Sequence, residues 1–249
     1  MFGGIVLTRV SSYRKESDET YGLGATVVME YLLHAREKVR GVILHPQFRS
    51  EETIAKIRSI CGNDISVSTE EKPFNILSKK DNCFVICVIE KKAEHITGGN
   101  HMVLVNPSNA GNMGTIMRSC LGFGVRDLAI IPPAVDHFDP KVIRASMGAA
   151  ASVRTEVFGS FEEYAQKFPE NKLYPFMLDG STKLHETVIE KPFSLIMGNE
   201  ATGLPSGFSK IGRPIRIDHS DAIDSLNITI AASIGLYEAT KGIDNHLQS

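Results

Sequence analysis

No apolar run in this 249-residue chain reaches the roughly 18 residues that a membrane-spanning helix requires. Its four cysteines, Cys61, Cys83, Cys87 and Cys120, do not form a disulfide or zinc pattern. Cys83 and Cys87 fall four apart in the strand-like run CFVICVI, on one face but too far apart to bridge. The eight histidines show no metal-site spacing, so ordinary free thiols and no metal are expected. An excess of either charge is also lacking: 27 Lys and Arg against 29 Asp and Glu leave a net charge of −2. That balance argues against a nucleic-acid partner held by overall charge, so any RNA contact must come from local patches. Arg36, Lys38 and Arg40 form one candidate patch; Arg118, Lys141 and Arg144 form another. A solvated face is the plainer account of such clusters. The fingerprints GxGxxG and GxxxxGK[ST] are absent, which disfavours a doubly wound nucleotide-binding enzyme unrelated to RNA. The start MFGGIVLTRV has no basic lead, long apolar core or small-residue cleavage site. A cytoplasmic protein without a secretory signal is the expectation.

Against these absences, 42% of the residues are hydrophobic, enough for a substantial core. Residues 24–35 carry Val27, Val28, Tyr31 and Leu32 at helical spacing. A strand follows over 39–46 and an amphipathic helix over 51–60. Strand, short helix and strand then complete a small α/β unit over residues 1–95. HITGGNH is a polar, glycine-rich joint. From residue 101 to 249 strand and helix alternate, which predicts a parallel sheet with helices on both faces. In that second domain PKVIRASMGAAAS reads as a helix, PIRIDHS as a strand, and Ser225 as the N-cap of a long terminal helix.

Three stretches stand at strand ends or at a helix start, where ligands bind in such sheets. They are Asn112-Met-Gly-Thr-Ile-Met-Arg118, Gly198-Asn-Glu-Ala-Thr-Gly-Leu204 and Ser225-Leu-Asn-Ile-Thr-Ile-Ala-Ala232. The first opens a helix whose free N–H groups suit an anion, although a βα turn with an N-cap Asn and a surface Arg would look the same. The second is a buried strand entering a glycine-bounded loop, and a plain strand-to-turn junction would also read this way.

Together and in this order, the three stretches resemble the motifs of the TrmH/SpoU RNA ribose methyltransferases of the SPOUT superfamily. Asn112, Gly114 and Arg118 match the first motif; Gly198, Glu200, Gly203 and Leu204 match the second; Ser225, Leu226, Asn227 and Ala231 match the third. Ala201 replaces a commoner Gly, and Asp218-His219 stand where Pro-Met is usual. The segment Lys141-Val-Ile-Arg144-Ala-Ser146-Met-Gly148 resembles a family stretch read Arg-Ala-Ser-Xaa-Gly, making Arg144 a candidate RNA contact. The resemblance implies a parallel-sheet domain with a deep trefoil knot, preceded by a ribosomal-protein-like α/β substrate domain. It implies S-adenosylmethionine as methyl donor, held near Leu178, Met197, Gly198, Ile217, Ser225 and Leu226. The implied partner is tRNA or rRNA, methylated at a ribose 2′-hydroxyl, and the implied assembly is a homodimer through the knot region. Arg118, Asn112, Glu200 and Asn227 are the implied catalytic group, with an ion pair from Glu200 to Arg118 within the site or across the dimer. Arginine is a poor general base because its pKa exceeds about 12. Arg118 is therefore expected to hold a phosphate and to stabilise charge developing on the 2′-oxygen. The alternative is an RNA-binding pseudoenzyme of the same fold, with Asp218-His219 and the acidic balance as its grounds.

Overall fold

The computed structural model describes residues 10–78, 82–180 and 182–242. In chain order the elements begin β1 (Glu19–Leu23), α1 (Ala25–His34), β2 (Val39–Leu44), α2 (Glu51–Cys61), β3 (Ser66–Thr69), α3 (Lys72–Leu77) and β4 (Val85–Glu90). They continue β5 (His101–Val105), α4 (Ala110–Gly122), β6 (Asp127–Ile131), α5 (Pro140–Ala145), β7 (Arg154–Val157) and α6 (Phe161–Lys167). The last are β8 (Lys172–Pro175), β9 (Thr182–Lys183), β10 (Phe193–Met197), β11 (Ile215–Arg216) and α7 (Ile228–Thr240). Side-chain caps fix several helix starts: Ser50 accepts from the Thr53 N–H, Asn109 from Asn112, Asp139 from Lys141 and Ser160 from Glu163. The terminal helix is capped by Asn227, not Ser225, so it starts later than its sequence suggests. Asn227 is an equally good cap and is the one whose carboxamide oxygen reaches the Thr229 N–H, at 2.8 Å.

The first unit comprises residues up to Lys92 together with Asp136–Ser152. Its sheet has the order β1-β4-β2-β3, antiparallel except for the β2–β3 pair. β1 is a strand that its short ETYGL sequence did not announce. The inclusion of Asp136–Ser152 corrects the expected division at residues 95–101. Ile143 and Ala151 join the apolar cluster of Val27, Val28, Tyr31 and Leu32. The fully buried Thr20 hydroxyl donates to the Phe138 carbonyl at 2.5 Å. The expected single helix over 140–152 also breaks after α5. Gly148 takes φ +93, and a Cβ there would sit 2.5 Å from that of Glu30, so the close approach requires glycine.

The second unit comprises Ala93–Val135 and Val153–Ser249. Its five-stranded sheet has the order β7-β6-β5-β10-β8, and every pairing is parallel. β5, β6 and β10 are buried along their whole length, as continuous Val/Ile/Leu runs require when both faces are covered. Val103, Val105, Ala129, Ile131 and Ile196 form a cluster with Phe158 and with Phe161 and Tyr164 of α6. Alternate residues such as Met102, Leu104, Leu128 and Leu195 point to the opposite face, where α7 packs on β10 and against α4. The expected strand PIRIDHS shortens to Ile215–Arg216, which pairs with β9 in a separate two-stranded sheet. All four cysteines are free and buried. No helix among the described residues is long and apolar enough to cross a membrane.

Candidate active site

Winding of the five-stranded sheet reverses between β5 and β10. From β5 the chain proceeds to β6 and β7 on one side, while β8 and β10 fill the other. Such a switch point opens a crevice at the carboxyl ends of the strands. The first two sequence stretches lead out of those ends. Glu200 ties them together: its carboxylate accepts from the Ser108 N–H at 3.1 Å, the Ser108 hydroxyl at 2.7 Å, the Asn109 N–H at 3.1 Å and Asn112 Nδ2 at 3.3 Å. Burial pushes the Glu200 carboxyl upward in pKa, but the bonds from Ser108 and the backbone outweigh it, and the net direction is down.

Asn199 braces the same junction. Its Nδ2 donates to the Asn106 carbonyl at 2.9 Å, and its Oδ1 accepts from the Ala201 and Thr202 N–H groups. Asn199 and Gly203 also exchange backbone hydrogen bonds, closing the loop on itself. Gly198 is buried beneath that closure. A Cβ on it would lie 2.2 Å from the Gly203 carbonyl carbon and 2.3 Å from the Leu204 nitrogen. Glycine is required here for close backbone approach, not for a positive φ.

Beside this junction lies a cleft of about 380 Å³, within the range of small-molecule sites. Its walls come from Phe176–Asp179, Met197–Leu204, Ile215–Ile217 and the segment leading into α7. Leu178, Met197, Gly198, Ile217, Ser225 and Leu226 all line it, as do Glu200 and His219. Leu178 is 68% exposed, leaving apolar surface at the cleft for a ligand to cover. Asn112 joins the site through Glu200, and Asn227 lies between the lining residues Leu226 and Ile228.

Arg118 stands apart from this group. It is exposed on α4 and has no hydrogen bond or ion pair among the described residues. The expected Glu200–Arg118 ion pair is not formed within the chain; both Glu200 oxygens are instead engaged by the 108–112 loop. The remaining candidates lie in the first unit. Arg36 binds Asp64 at 2.7 Å and the Ile60 and Cys61 carbonyls, Arg40 pairs with Glu90, and Arg144 donates to Asn82. Lys38 is half-buried in the turn following α1. Sequence reading overlooked Asn199, although it stands inside the quoted Gly198–Leu204 stretch. A polar Asn beside a strand-terminal glycine was the available signal.

The model of the SpoU rRNA Methylase family matches residues 99–237, more than half of the chain. This chain belongs to that family. Among similar proteins, an uncharacterized tRNA/rRNA methyltransferase of Synechocystis is 28% identical over 143 residues, 56% of this chain and 52% of the relative. A 23S rRNA (uridine(2479)-2′-O)-methyltransferase of Streptomyces viridochromogenes is 28% identical over 144 residues, 54% of this chain and 50% of the relative. The chain thus spans about half the length of these two proteins. A crystal structure of an AdoMet-bound rRNA methyltransferase from Sinorhizobium meliloti superposes with a TM-score of 0.76 at 26% identity, covering 95% of this chain and 90% of that one. The likeness to that structure therefore extends well beyond the span of the family model.

Proposed function

We propose that this SpoU family member transfers a methyl group from S-adenosylmethionine to a ribose 2′-hydroxyl of tRNA or rRNA in the cytoplasm. The observation that carries the reading is the cleft at the carboxyl ends of β8 and β10. All six residues expected at the methyl donor line it, and the Asn112 loop is bonded to its rim through Glu200. The cleft fits the donor. Gly198 lets the 199–204 loop close tightly on the end of β10, Leu178 and Leu226 offer apolar surface, and the exposed Ala201–Gly203 loop offers backbone polar groups.

When bound, S-adenosylmethionine supplies an electrophilic methyl group, so alignment of the incoming 2′-oxygen accounts for much of the rate. In this chain Glu200 and Asn199 fix the Asn106–Asn112 segment relative to the cleft. Asn112 is placed to orient the ribose. Arg118, with its guanidinium uncommitted among the described residues, is suited to a phosphate and to the negative charge on the 2′-oxygen.

The same reading includes a homodimer and a trefoil knot. Arg118 lies away from the cleft lining of its own chain, which a second copy's Arg118 would complete. Ile230 and Tyr237 on α7 are 50% and 57% exposed and offer apolar surface for such a contact. Close backbone crossings at Gly180 against Ile215 and at Gly212 against Leu173 support a tightly threaded C-terminal segment.

The test is to incubate the protein with labelled S-adenosylmethionine and RNA from a strain lacking the gene, then to map 2′-O-methyl sites. Label that disappears in Arg118→Ala supports the proposal. Donor binding without transfer to any RNA would favour the pseudoenzyme, and no donor binding would reject both. Mixing Arg118→Ala with Gly198→Ala subunits tests the dimer: recovered activity requires a site shared between two chains.

A further inference from the structure

The segment 217–226 forms one wall of the cleft, contributing Ile217, His219, Ser225 and Leu226. It is weakly attached. Its hydrogen bonds are local, from the Ala222 and Ile223 N–H groups to Ser220 and between His219 Nδ1 and the Ser220 carbonyl. Residues Ser220–Ser225 are all exposed. No backbone bond joins 217–226 to the sheet or to the neighbouring cleft loops among the described residues.

Asp218 is the exception. Its carboxylate lies 3.2 Å from Lys183 Nζ on β9, 3.2 Å from Arg216 Nε on β11 and 3.9 Å from His185 Nδ1 in the turn after β9. β9 and β11 pair over only two residues, Thr182 with Ile215 and Lys183 with Arg216. One carboxylate therefore bonds to both strands at the point where the wall departs. Glu186 also faces His185, at 3.5 Å, so the imidazole is shared between two carboxylates and is the weakest of the three partners.

We propose that Asp218 is a positioning residue for the methyl donor: its ion pair with Lys183 holds the Ile217–Leu226 wall against the cleft. This rests on the reading of the cleft as the donor site, but the tether itself does not depend on it. Asp218 and Lys183 are 40% and 39% exposed, so the pair is screened by salt and is individually modest. Its leverage comes from acting on a segment with no other polar attachment to the body.

Two measurements separate the alternatives. The first is hydrogen exchange without ligand on the wild type, Asp218→Asn and Lys183→Gln. Both variants should exchange faster over 217–226 and be unchanged over β5 and β10, and equal rates in 217–226 would overturn the tether. The second is titration with S-adenosylmethionine. Each single variant should weaken binding by about three- to fivefold, the range open to a partly exposed ion pair. The double variant should be no worse than Asp218→Asn alone, because that change already removes the Lys183 contact along with those to Arg216 and His185. Additive losses, or wild-type affinity in Asp218→Asn, would refute the positioning role while leaving the donor site intact. If the wild type fails to bind the donor, the donor-site reading and the positioning role fail together, whatever the exchange data show of the tether.

Discussion

Glu200 Oε1 accepts a hydrogen bond from Asn112 Nδ2 at 3.3 Å, joining two loops that are 88 residues apart in sequence. The same oxygen takes the Asn109 N–H, and its twin takes both donors of Ser108. Glu200 therefore holds the start of α4 in place. Within the chain its carboxylate serves the loop and does not serve Arg118.

Glu200→Gln tests this directly. One carboxylate oxygen becomes an NH2 group, which must face N–H or O–H donors in the 108–112 loop. Loss of a charge-assisted hydrogen bond and exposure of an unpaired donor cost about 1.5–3 kcal/mol. The expected result is a fall in kcat of about tenfold or more, with donor affinity changed much less. Steady-state methylation kinetics and calorimetric titration measure the two separately. A drop confined to donor affinity would count against a role in placing Asn112.

The pH dependence of that junction follows from the sign of the Glu200 shift. Its folded-state pKa lies below the ordinary glutamate value, about 4.3. The carboxylate therefore contributes stability that is fully present above that ordinary value and is lost as pH falls through the lower folded value. Exchange protection of the Asn109 and Asn112 amides should persist in the wild type down to the ordinary glutamate value and decline only below it. In Glu200→Gln the protection should be weaker throughout and flat across that interval.

Local pattern was enough to find β5, α4, β6 and β10, because buried apolar runs and a helical repeat are written in adjacent residues. The cleft residues were legible for a different reason: three motifs kept their order and resembled one family. Partnerships across the chain were not legible. Lys183 and Asp218 are far apart in sequence, and nothing near either one names the other. Membership of α5 in the first unit was hidden in the same way, since Val142 and Ile143 would suit either core. Ser225 lost the cap to Asn227 because both residues are good caps and backbone geometry alone chose between them.

Gly198→Ala should weaken donor binding while leaving the fold in place. The added methyl would meet the backbone of Gly203 and Leu204 at 2.2–2.3 Å, and backbone cannot turn aside as a flexible side chain can. The 199–204 loop must shift, and it forms much of the cleft wall. A loss of at least about tenfold in affinity is expected, the effect of a displacement near one ångström in a preorganised site. Titration gives the affinity, and circular dichroism checks that secondary structure is retained. Retention of wild-type affinity would show that the donor does not rest on this loop.

At the opposite end of the sheet, His101 gives the second unit a pH response of its own. The ring is fully buried, with Nε2 2.6 Å from the Thr97 carbonyl and Nδ1 2.8 Å from the Tyr164 hydroxyl. A carbonyl at Nε2 fixes the proton there, so Nδ1 accepts from Tyr164. Tyr164 in turn accepts from Ser194, and Ser194 accepts from Asn171 Nδ2. Each member has one available role, and a proton added at Nδ1 would reverse the chain. Burial holds the His101 pKa below its ordinary value, against the opposing pull of the Thr97 carbonyl and Asp127. A depressed histidine stabilises the fold fully above its unfolded pKa, about 6.5, and that contribution is lost as pH falls from there through the lower folded value. The urea midpoint of the wild type should therefore drop between pH 7.5 and pH 5. His101→Asn, which keeps a donor but cannot titrate, should be less stable at pH 7.5 and show a smaller drop. Equal pH slopes in the two proteins would mean that His101 is not the group responsible.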